Sequence, residues 1–447
     1  MSSNGSTFAR HRSPQARHRH APSSRRVPEG ACPDPAVTAN DQPLLERYDG
    51  FLFDLDGVVY RGEDAVSNAP AVLEELRRRG CVVRYLTNNS SKTPQQVAGK
   101  LAGLGVPATP EEIVTSAVAT AAMLRTEGFA GASAFVIGEQ GVREALDHAG
   151  IRVVDGQPPR VDLVVIGWDR SADYDKLRRA TLLVRAGARL VATNGDATYP
   201  AADGLWPGAG ALLAAVTTAT GATPTVVGKP ARPMFRSAQE SCGATHPLVV
   251  GDRLDTDIGG AVAMGWDSLL VLTGASRYRD LIGSPVLPTY LGADLRTLLR
   301  PSPAARFRPV TAQDGPAVRE LLRTSGLSYD GAGQAGAAGV FDEDGSVLAT
   351  ATLDVFGDSA LLRSVAVRPD LRTSGLGSLA VAAATRNAAS DGVRTIWLLS
   401  ETAPEFFANL GFSTVGQDEL PPTVAASPHA AGCESATAMR LALPAQP

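Results

Sequence analysis

From Tyr48 onward, short apolar runs alternate with amphipathic segments. Seven of the runs are mostly continuous in apolar residues: FLFDL, VVRYLTN, AFVIG, DLVVIGW, RLVATN, PLVVGD and SLLVLTG. Continuous runs are typical of strands that are buried on both faces of a parallel sheet. The segments between them, such as APAVLEELRRRG and YDKLRRATLLVRAG, have helical apolar spacing and end in glycine. The pattern predicts α/β architecture of the doubly wound kind.

The pattern changes after RPSPAARFRP, a Pro-rich stretch at residues 300–309 that is typical of a linker. The following GVFDEDGSVLATATLDVFGDSALLRSVAVRP alternates apolar and polar residues, with DEDGS as a hairpin turn. A glycine-containing loop, a helix (DLRTSGLGSLAVAAATRNAASDG) and a strand (TIWLLS) come next. This part of the chain is therefore expected to form a separate α+β domain.

Length and composition narrow the class of protein. A chain of 447 residues is long enough for two to three domains. No apolar run approaches the roughly 18 residues that a membrane span needs, so no membrane partner is expected. The four cysteines are scattered and form no CxxC pair. That argues against a zinc site or a disulfide framework and suits a reducing cytoplasm.

The net charge of −4 is unevenly distributed. Residues 1–30 hold six arginines and one glutamate, a net +5, which leaves about −9 on the rest of the chain. Residues 1–45 are interpreted as a disordered basic tail because their Arg, His, Ser and Pro residues offer no apolar stretch to bury. A nucleic-acid partner is not expected, since an enzyme that acts on nucleic acid would carry positive charge on its folded body as well as on the tail.

Polar residues lie at the carboxyl ends of four apolar runs. In parallel sheets, ligands bind at that end of the strands. The polar residues are Asp54 and Asp56; Thr87, Asn88, Asn89 and Ser90; Lys229; and Asp252, Asp255 and Asp257. Each motif alone has an ordinary structural explanation as a turn, a helix cap or a surface charge. All four in this order indicate phosphoryl transfer.

The chemistry of phosphate-ester hydrolysis explains the combination. A carboxylate nucleophile divides the reaction into two steps through an aspartyl-phosphate, and a second carboxyl protonates the leaving group. Carboxylates from two strands would hold Mg²⁺, which also takes a phosphate oxygen. A lysine and a hydroxyl or amide cluster would stabilise the remaining phosphoryl oxygens.

The motifs FDLDGVVYRG, LTNNSS, GKP and VGDRLDTDI resemble those of haloacid dehalogenase (HAD) superfamily phosphatases, and the long insert resembles the cap of the NagD-type branch, subfamily IIA. The resemblance implies a Rossmann-like core at residues 46–92 and 225–298, with a large α/β cap inserted at 93–224. Residues 299–305 would be a linker.

The same resemblance implies a role for each motif residue. Asp54 would be the nucleophile and Asp56 the general acid/base, while Asp54, the Asp56 carbonyl and Asp252 would bind Mg²⁺. Thr87 and Asn88, with Asn89 beside them, would contact the phosphoryl group; Lys229 would neutralise it; Asp257 would orient the metal shell; and Asp255 would lie at the surface.

Substrate choice is expected to lie with the cap. The candidates follow its own strand ends: Trp168, Asp169, Arg170, Asn194 and Asp196. The alternative for each of them is a helix-capping or turn residue that makes no contact with substrate.

The C-terminal part, residues 306–445, has Arg372-x-x-Gly375-x-Gly377 between a strand and a helix, a context that resembles GNAT-type N-acetyltransferases. By that resemblance Arg372, Gly375 and Gly377 would bind the pyrophosphate of coenzyme A, which makes acetyl-CoA a second candidate cofactor. The usual tyrosine before LGF is missing, and Phe406 and Phe407 stand there. An active transferase, an acyl-CoA-binding or regulatory module and a purely structural domain all stay open.

Together these features predict a cytoplasmic Mg²⁺-dependent phosphatase for a small phosphomonoester. The pairing of the two domains resembles actinobacterial glycerol-3-phosphate phosphatases, so glycerol 3-phosphate is the leading substrate. Phosphoglycolate, pyridoxal phosphate and nucleotide monophosphates are the alternatives. A homo-oligomer is an open alternative to a monomer.

Overall fold

The computed structural model describes residues 42–201, 203–327, 337–386, 388–389, 391–430 and 435–443. Most of the predicted basic tail, residues 1–41, lies outside this part. Its last residues do not fit the prediction, because Leu44 and Leu45 are buried in the short 3₁₀-helix Leu44–Glu46. Two adjacent leucines supply the apolar surface that the rest of the tail lacks. The folded chain therefore begins before residue 46.

The phosphatase-like core is built on six parallel strands, as the continuous apolar runs predict. In spatial order they are Tyr290–Gly292, Asp267–Val271, Pro247–Gly251, Gly50–Asp54, Val83–Thr87 and Ile113–Thr115. Five α-helices cover the sheet: Ala69–Arg78, Pro94–Gly103, Ser116–Thr126, Arg232–Cys242 and Gly259–Met264. Shorter elements are the 3₁₀-helices Pro110–Glu112, Tyr278–Leu281 and Leu295–Leu299, the π-helix Leu254–Ile258 and the paired strands Tyr60–Arg61 and Asp64–Ala65.

Local sequence explains why these elements form. Phe51, Leu52 and Phe53 are all at most 1% exposed, so both faces of their strand are covered. The helix Pro94–Gly103 begins with a capping box, in which the Thr93 hydroxyl accepts from the Gln96 N–H and the Gln96 side chain accepts from the Thr93 N–H. Strand and helix boundaries thus follow from short-range signals.

The cap has a second parallel sheet of five strands. Their order is Thr225–Val226, Arg189–Ala192, Leu163–Ile166, Ser133–Ile137 and Arg152–Val153. Its helices are Gln140–His148, Tyr174–Arg185 and Ala209–Thr220, and the strands Thr198–Ala201 and Gly204–Pro207 form a hairpin.

Sheet membership differs from the predicted boundaries of the cap at both ends. The strand Ile113–Thr115, which the boundary at residue 93 assigned to the cap, pairs with Val83–Thr87 in the core sheet. The strand Thr225–Val226, which the boundary at residue 225 assigned to the core, pairs with Arg189–Ala192 in the cap sheet. Local patterns predict a strand but not its partner, because pairing joins distant segments.

The C-terminal part is an α+β domain, as predicted. Its seven strands are ordered Arg306–Pro309, Ala337–Phe341, Val347–Phe356, Ser359–Val367, Thr395–Ser400, Thr437–Ala442 and Ser413–Thr414. Its helices are Gly315–Thr324, Leu376–Thr385, Pro404–Asn409 and Pro422–Ala425, with 3₁₀-turns at Ala312–Asp314, Pro369–Leu371 and Gln417–Glu419. The strands Ser359–Val367 and Thr395–Ser400 run parallel and pair at three positions, so they diverge beyond Leu361 and Trp397.

The junction between the core and the C-terminal domain is packed rather than loose. Ala304 and Ala305, within the predicted linker, are 0% and 2% exposed. Just beyond them, the Arg306 guanidinium binds both carboxylate oxygens of Asp267 at 2.5 and 3.1 Å. The same carboxylate accepts hydrogen bonds from the hydroxyls of Tyr48 and Thr289, both at 2.9 Å. Asp267, at the start of the core strand Asp267–Val271, thus ties the core sheet to the first strand of the C-terminal sheet.

Replacing Asp267 by Asn is expected to lower the free energy of unfolding at pH 7 by about 1–3 kcal/mol, because Arg306 would lose its charged partner. Burial alone would raise the pKa of Asp267, but the bonds from Arg306 outweigh it and hold the pKa below its ordinary 3.8. The stabilisation is therefore complete above about pH 4 and is lost as the pH falls through the lower folded value. Urea unfolding at several pH values measures it.

Glu320→Gln is the matched control, since it breaks an exposed ion pair with Arg323 and should change stability by less than about 0.5 kcal/mol. Equal losses in the two variants would contradict the structural role of Asp267.

Candidate active site

The site lies where the central strands of the core sheet end. Gly50–Asp54 pairs with Val83–Thr87 on one side and with Pro247–Gly251 on the other. All three strands are parallel, so Asp54, Thr87 and Asp252 come together at the same edge of the sheet. The sequence separation between them disappears in the fold.

Three carboxylates and one ammonium form the centre of the site. Asp54, Asp252 and Asp257 each offer an oxygen within 4.8 Å of the others. Lys229 Nζ donates to Asp54 Oδ1 and, at 2.7 Å, to Asp257 Oδ1. All four side chains are at least largely buried. Three negative charges against one positive charge leave an excess of two negative charges in the interior.

Burial and mutual repulsion shift the acids in this group. Burial raises the pKa of Asp54 to about 6, with Lys229 acting in the opposite direction. Burial likewise raises the pKa of Asp252 and of Asp257 to about 6 each. Burial alone would lower the pKa of Lys229, but its two carboxylate partners outweigh this and the pKa is raised. The lysine is thus firmly protonated, and the carboxylates lack sufficient positive charge.

The arrangement fits a divalent cation. Asp252 Oδ2 accepts from the Ala275 N–H at 2.5 Å, whereas Asp252 Oδ1 is buried and has no hydrogen-bond partner in the described part of the chain. A buried carboxylate oxygen without a partner is costly unless a cation compensates it. Oxygen-only ligands of this kind suit Mg²⁺. The residues that could hold the ion are Asp54 and Asp252.

Asp257 lies in the same group but differs in its partners. Its Oδ1 binds Lys229 and its Oδ2 accepts from the Arg253 N–H at 3.2 Å, so both oxygens are occupied. An orienting role for Asp257 stays a prediction. Asp255, the expected surface residue, is 66% exposed and pairs with Arg253.

Asp56 lies outside the carboxylate group, at the mouth of the site. Asp56 is exposed, yet the atoms around its carboxyl group limit the hydration of that group, which raises its pKa. The positive charges of Lys100 and Arg61 act in the opposite direction. A carboxyl with a raised pKa suits a general acid. Tyr60 and Tyr199 lie near Asp56. Burial raises the pKa of both tyrosines, and the negative charge of Asp56 raises it further. Binding of a metal through the Asp56 carbonyl stays a prediction.

Thr87, Asn88 and Asn89 of the second motif differ in their hydrogen-bond partners. Thr87 Oγ1 accepts from the Asn89 N–H at 3.1 Å, which leaves its hydroxyl proton available for a phosphoryl oxygen. The Asn88 side chain instead accepts from the Lys229 N–H at 2.8 Å and donates to the Lys229 carbonyl at 3.0 Å. Asn89 Oδ1 accepts from both the N–H and the hydroxyl of Ser91. As the structure stands, the amides of Asn88 and Asn89 position the backbone, and their contact with substrate stays a prediction.

Three of the cap candidates, Trp168, Asn194 and Asp196, lie on the side of the cap that meets the core. Asp196 Oδ2 accepts from the side chains of Asn88 and Asn194, at 3.0 and 2.7 Å. The Trp168 ring stacks on Tyr199 with centroids 3.9 Å apart. These contacts bring the cap to the opening near Asp56.

The other two cap candidates have structural partners. Asp169 is buried and binds Lys176 at 2.8 Å. Arg170 binds both oxygens of Glu139, at 2.7 and 3.0 Å, and its guanidinium lies 5.5 Å from the Trp168 ring centre. The alternative interpretation, a turn residue without contact to substrate, describes Asp169 best, since its Oδ1 also accepts from the Ser171 N–H at 2.8 Å.

A loop that sequence analysis did not single out completes the site. In residues 273–276, the Thr273 hydroxyl donates to the Gly57 carbonyl at 2.6 Å. Ala275 N–H binds the Asp252 side chain, and Ser276 N–H donates to the Asp252 carbonyl at 3.1 Å. The signal was present, since the loop begins with the last two residues of the run SLLVLTG at the same sheet edge, but threonine and glycine carry no charge that marks chemistry.

The C-terminal candidates lie at the start of a helix. Gly375 has a φ of 88° and immediately precedes the helix Leu376–Thr385, and Arg372 is exposed. The N–H groups at a helix start can bind an anion. A side chain at Gly377 would approach the Phe406 ring to 3.3 Å. Phe406 and Phe407 lie in the helix Pro404–Asn409, and neither carries a hydroxyl.

Family models match three segments of the chain. Residues 51–152 match the model described as haloacid dehalogenase-like hydrolase, and residues 226–298 match a second model of HAD-hydrolase-like proteins. Residues 335–414 match the acetyltransferase (GNAT) domain.

Known relatives cover the phosphatase part or both parts. The acid sugar phosphatase of Staphylococcus aureus (strain USA300) is 40% identical over 253 residues, 56% of this chain and 96% of the relative. A thermostable NPPase double mutant from Geobacillus stearothermophilus is 39% identical over 56% of this chain and 96% of that chain, with a TM-score of 0.51. The glycerol phosphate phosphatase of Mycobacterium tuberculosis, solved with magnesium, is 32% identical over 83% of this chain and 98% of that chain, with a TM-score of 0.63.

Fold, carboxylate site and relatives together define a HAD-type phosphatase, a hydrolase of phosphoric monoesters. The chain belongs to the haloacid dehalogenase-like hydrolases, as a NagD-like member fused to a GNAT domain. The family resemblance and the fold class predicted from the motifs are thus confirmed. None of the helices in the described ranges combines the length and hydrophobicity required to span a lipid bilayer.

Proposed function

We propose that this protein is a Mg²⁺-dependent phosphatase that hydrolyses glycerol 3-phosphate through an aspartyl-phosphate on Asp54. The observation that carries the proposal is the buried group of Asp54, Asp252 and Asp257 around Lys229. Its excess of two negative charges and the unpartnered Asp252 Oδ1 support a divalent cation. When bound, Mg²⁺ would screen the negative charges of the nucleophile and the phosphoryl group from each other.

The chain's own residues supply the remaining steps. Asp54 attacks phosphorus and the ester oxygen leaves, while Asp56 at the mouth donates its proton to that oxygen. Lys229 and the Thr87 hydroxyl stabilise the transferred phosphoryl oxygens. Asp56, now ionised, then accepts a proton from the water that attacks the aspartyl-phosphate, which releases inorganic phosphate and restores Asp54.

The substrate is proposed from coverage and from the mouth of the site. The M. tuberculosis glycerol phosphate phosphatase aligns with both the phosphatase and the GNAT parts, whereas the acid sugar phosphatase aligns with 56% of this chain. At the mouth, Asn194 and Asp196 are amide and carboxylate groups that can bind hydroxyls. A short polyol phosphate has hydroxyls that both of these side chains could bind.

We expect glycerol 3-phosphate to give a kcat/KM at least about tenfold above phosphoglycolate, because hydrogen bonds to a substrate hydroxyl discriminate strongly against an analogue that lacks it. Pyridoxal phosphate and nucleotide monophosphates carry their hydroxyls on bulky ring systems, and they are expected to give lower values than glycerol 3-phosphate as well. Inorganic phosphate release from each ester with saturating Mg²⁺ is the measurement. A higher value for any of the others would replace glycerol 3-phosphate as the substrate and leave the phosphatase mechanism standing.

Asp54→Asn is expected to abolish phosphate release, by a factor of at least about 10⁴, since an amide cannot act as the nucleophile. Activity and circular dichroism are compared with those of Asp255→Asn, which changes an exposed aspartate near the site and should retain most of the activity. Near-wild-type turnover by a folded Asp54→Asn protein would end the mechanism.

A second candidate function belongs to the GNAT-like domain, namely binding of an acyl-CoA. The parallel strands Ser359–Val367 and Thr395–Ser400 pair at only three positions, and the loop with Arg372 and Gly375 precedes a helix start. A pyrophosphate is the chemical group that such a loop accommodates. Because phenylalanines stand where a hydroxyl would protonate the departing thiolate, binding is favoured over transfer.

Isothermal titration of the full chain with acetyl-CoA is expected to show submillimolar binding. Arg372→Ala should weaken it about tenfold, because a guanidinium–phosphate contact would be lost. Arg323→Ala, at an exposed position on another helix of the domain, is the control. Absence of binding at millimolar acetyl-CoA would rule out both the sensor and the transferase.

A further inference from the structure

We propose that the GNAT-like domain positions the metal-binding edge of the phosphatase site, acting through residues 273–281. In this arrangement Thr273 and Ser276 are positioning residues, and the domain that follows them in the chain is a structural part of the phosphatase. The inference rests on the Mg²⁺ site proposed above.

The 273–276 loop holds two catalytic segments together. Thr273 binds the Gly57 carbonyl in the turn after Asp56, and Ser276 N–H binds the Asp252 carbonyl. The Ser276 hydroxyl also accepts from the Leu254 N–H at 3.3 Å. The loop therefore fixes the spacing between the segment of Asp56 and that of Asp252.

The loop also sets the orientation of the Asp252 carboxylate. A Cβ atom at Gly274 would lie 1.9 Å from Asp252 Oδ2, and one at Gly57 would lie 2.4 Å from the same oxygen. With Ala275 N–H bound to Oδ2, the carboxylate is held between two glycine backbones, and Oδ1 is left for the ion. A small displacement of the loop would turn this carboxylate.

The loop is joined rigidly to the short helix Tyr278–Leu281. The Arg277 guanidinium donates to the Gly274 carbonyl. The backbone N–H of Arg277 donates to the Asp280 side chain at 2.7 Å. Asp280 thereby caps the helix that Arg277 precedes. Loop and helix are expected to shift together.

The GNAT-like domain packs directly on this helix. The helix Leu376–Thr385 lies against Tyr278–Leu281. Leu281, which is 0% exposed, belongs to one continuous hydrophobic cluster with Leu376 and Leu379 of that helix. A Cβ atom at Gly375 would touch Leu291 of the core at 2.9 Å, so the two surfaces are in close contact.

The same cluster reaches the metal-binding segment itself. Leu254 and Ile258, on either side of Asp257, are buried members of it. Closely packed clusters transmit displacements because they have few voids to absorb them. The GNAT-like domain therefore supports the segment that carries Asp252 and Asp257 by two routes, the helix Tyr278–Leu281 and the buried side chains of Leu254 and Ile258.

The experiment measures Mg²⁺ binding by isothermal titration on the full chain without substrate, together with urea unfolding of each variant. Thr273→Val removes the hydroxyl donor and keeps the shape, while Thr273→Ser restores the hydroxyl. Leu281→Ala opens a cavity beneath the short helix. Leu321→Ala is its matched control, since Leu321 is a buried leucine of the GNAT-like domain in a separate hydrophobic cluster.

We expect Thr273→Val and Leu281→Ala to raise the Kd for Mg²⁺ about tenfold, as is typical when the support of a metal ligand is lost. Thr273→Ser and Leu321→Ala should stay within about twofold of wild type, because the hydroxyl and the contact with Tyr278–Leu281 remain. Leu281→Val, with Leu321→Val beside it, replaces the alanine pair where the larger cavity prevents folding.

Unchanged Mg²⁺ affinity in Thr273→Val and Leu281→Ala, with normal binding by wild type, would overturn the inference and leave the proposed function intact. Equal weakening in Leu321→Ala would also overturn it, since general instability would then be the cause. Absence of Mg²⁺ binding by the wild-type protein would instead refute the metal site itself.

Discussion

The attraction between Lys229 and the carboxylates of Asp54 and Asp257 is the interaction on which the site depends. These groups are buried, and Asp252 adds a third carboxylate close to them. Burying like charges so near one another is unfavourable, which is why the pKa of each carboxyl is raised to about 6. The fold maintains this unfavourable arrangement at the end of a rigid parallel sheet, where a cation and a phosphoryl group can use it.

Much of the surrounding structure serves to hold these charges in place. The Asn88 side chain accepts from the Lys229 N–H and donates to the Lys229 carbonyl, and the 273–276 loop holds Asp252. Gly57, with a φ of 86°, allows the chain to pass the Asp252 carboxylate, where any side chain would collide. These residues carry no charge, yet they decide which oxygen of each carboxylate is free.

Sequence reasoning identified the charged residues of the site but could not predict how each one is used. Asp54, Asp252, Asp257 and Lys229 converge as expected, because apolar runs reveal strands and ligands gather at the ends of parallel strands. Asn89 Oδ1 accepts from Ser91 in its own turn, and contact of Asn89 with the substrate stays a prediction. The 273–276 loop was overlooked, since its contribution is made by backbone groups that any sequence possesses.

Local periodicity and motif order in the amino-acid sequence are enough to predict the strands, the principal helices, the α/β and α+β classes of the two parts, and the family. The assignment of Ile113–Thr115 to the core sheet and of Thr225–Val226 to the cap sheet depends instead on the three-dimensional fold. The same holds for the hydrophobic cluster that the GNAT-like domain shares with the segment that carries Asp257. Pairing and packing join residues far apart in the chain, and their free energies depend on complementary surfaces that no local pattern records.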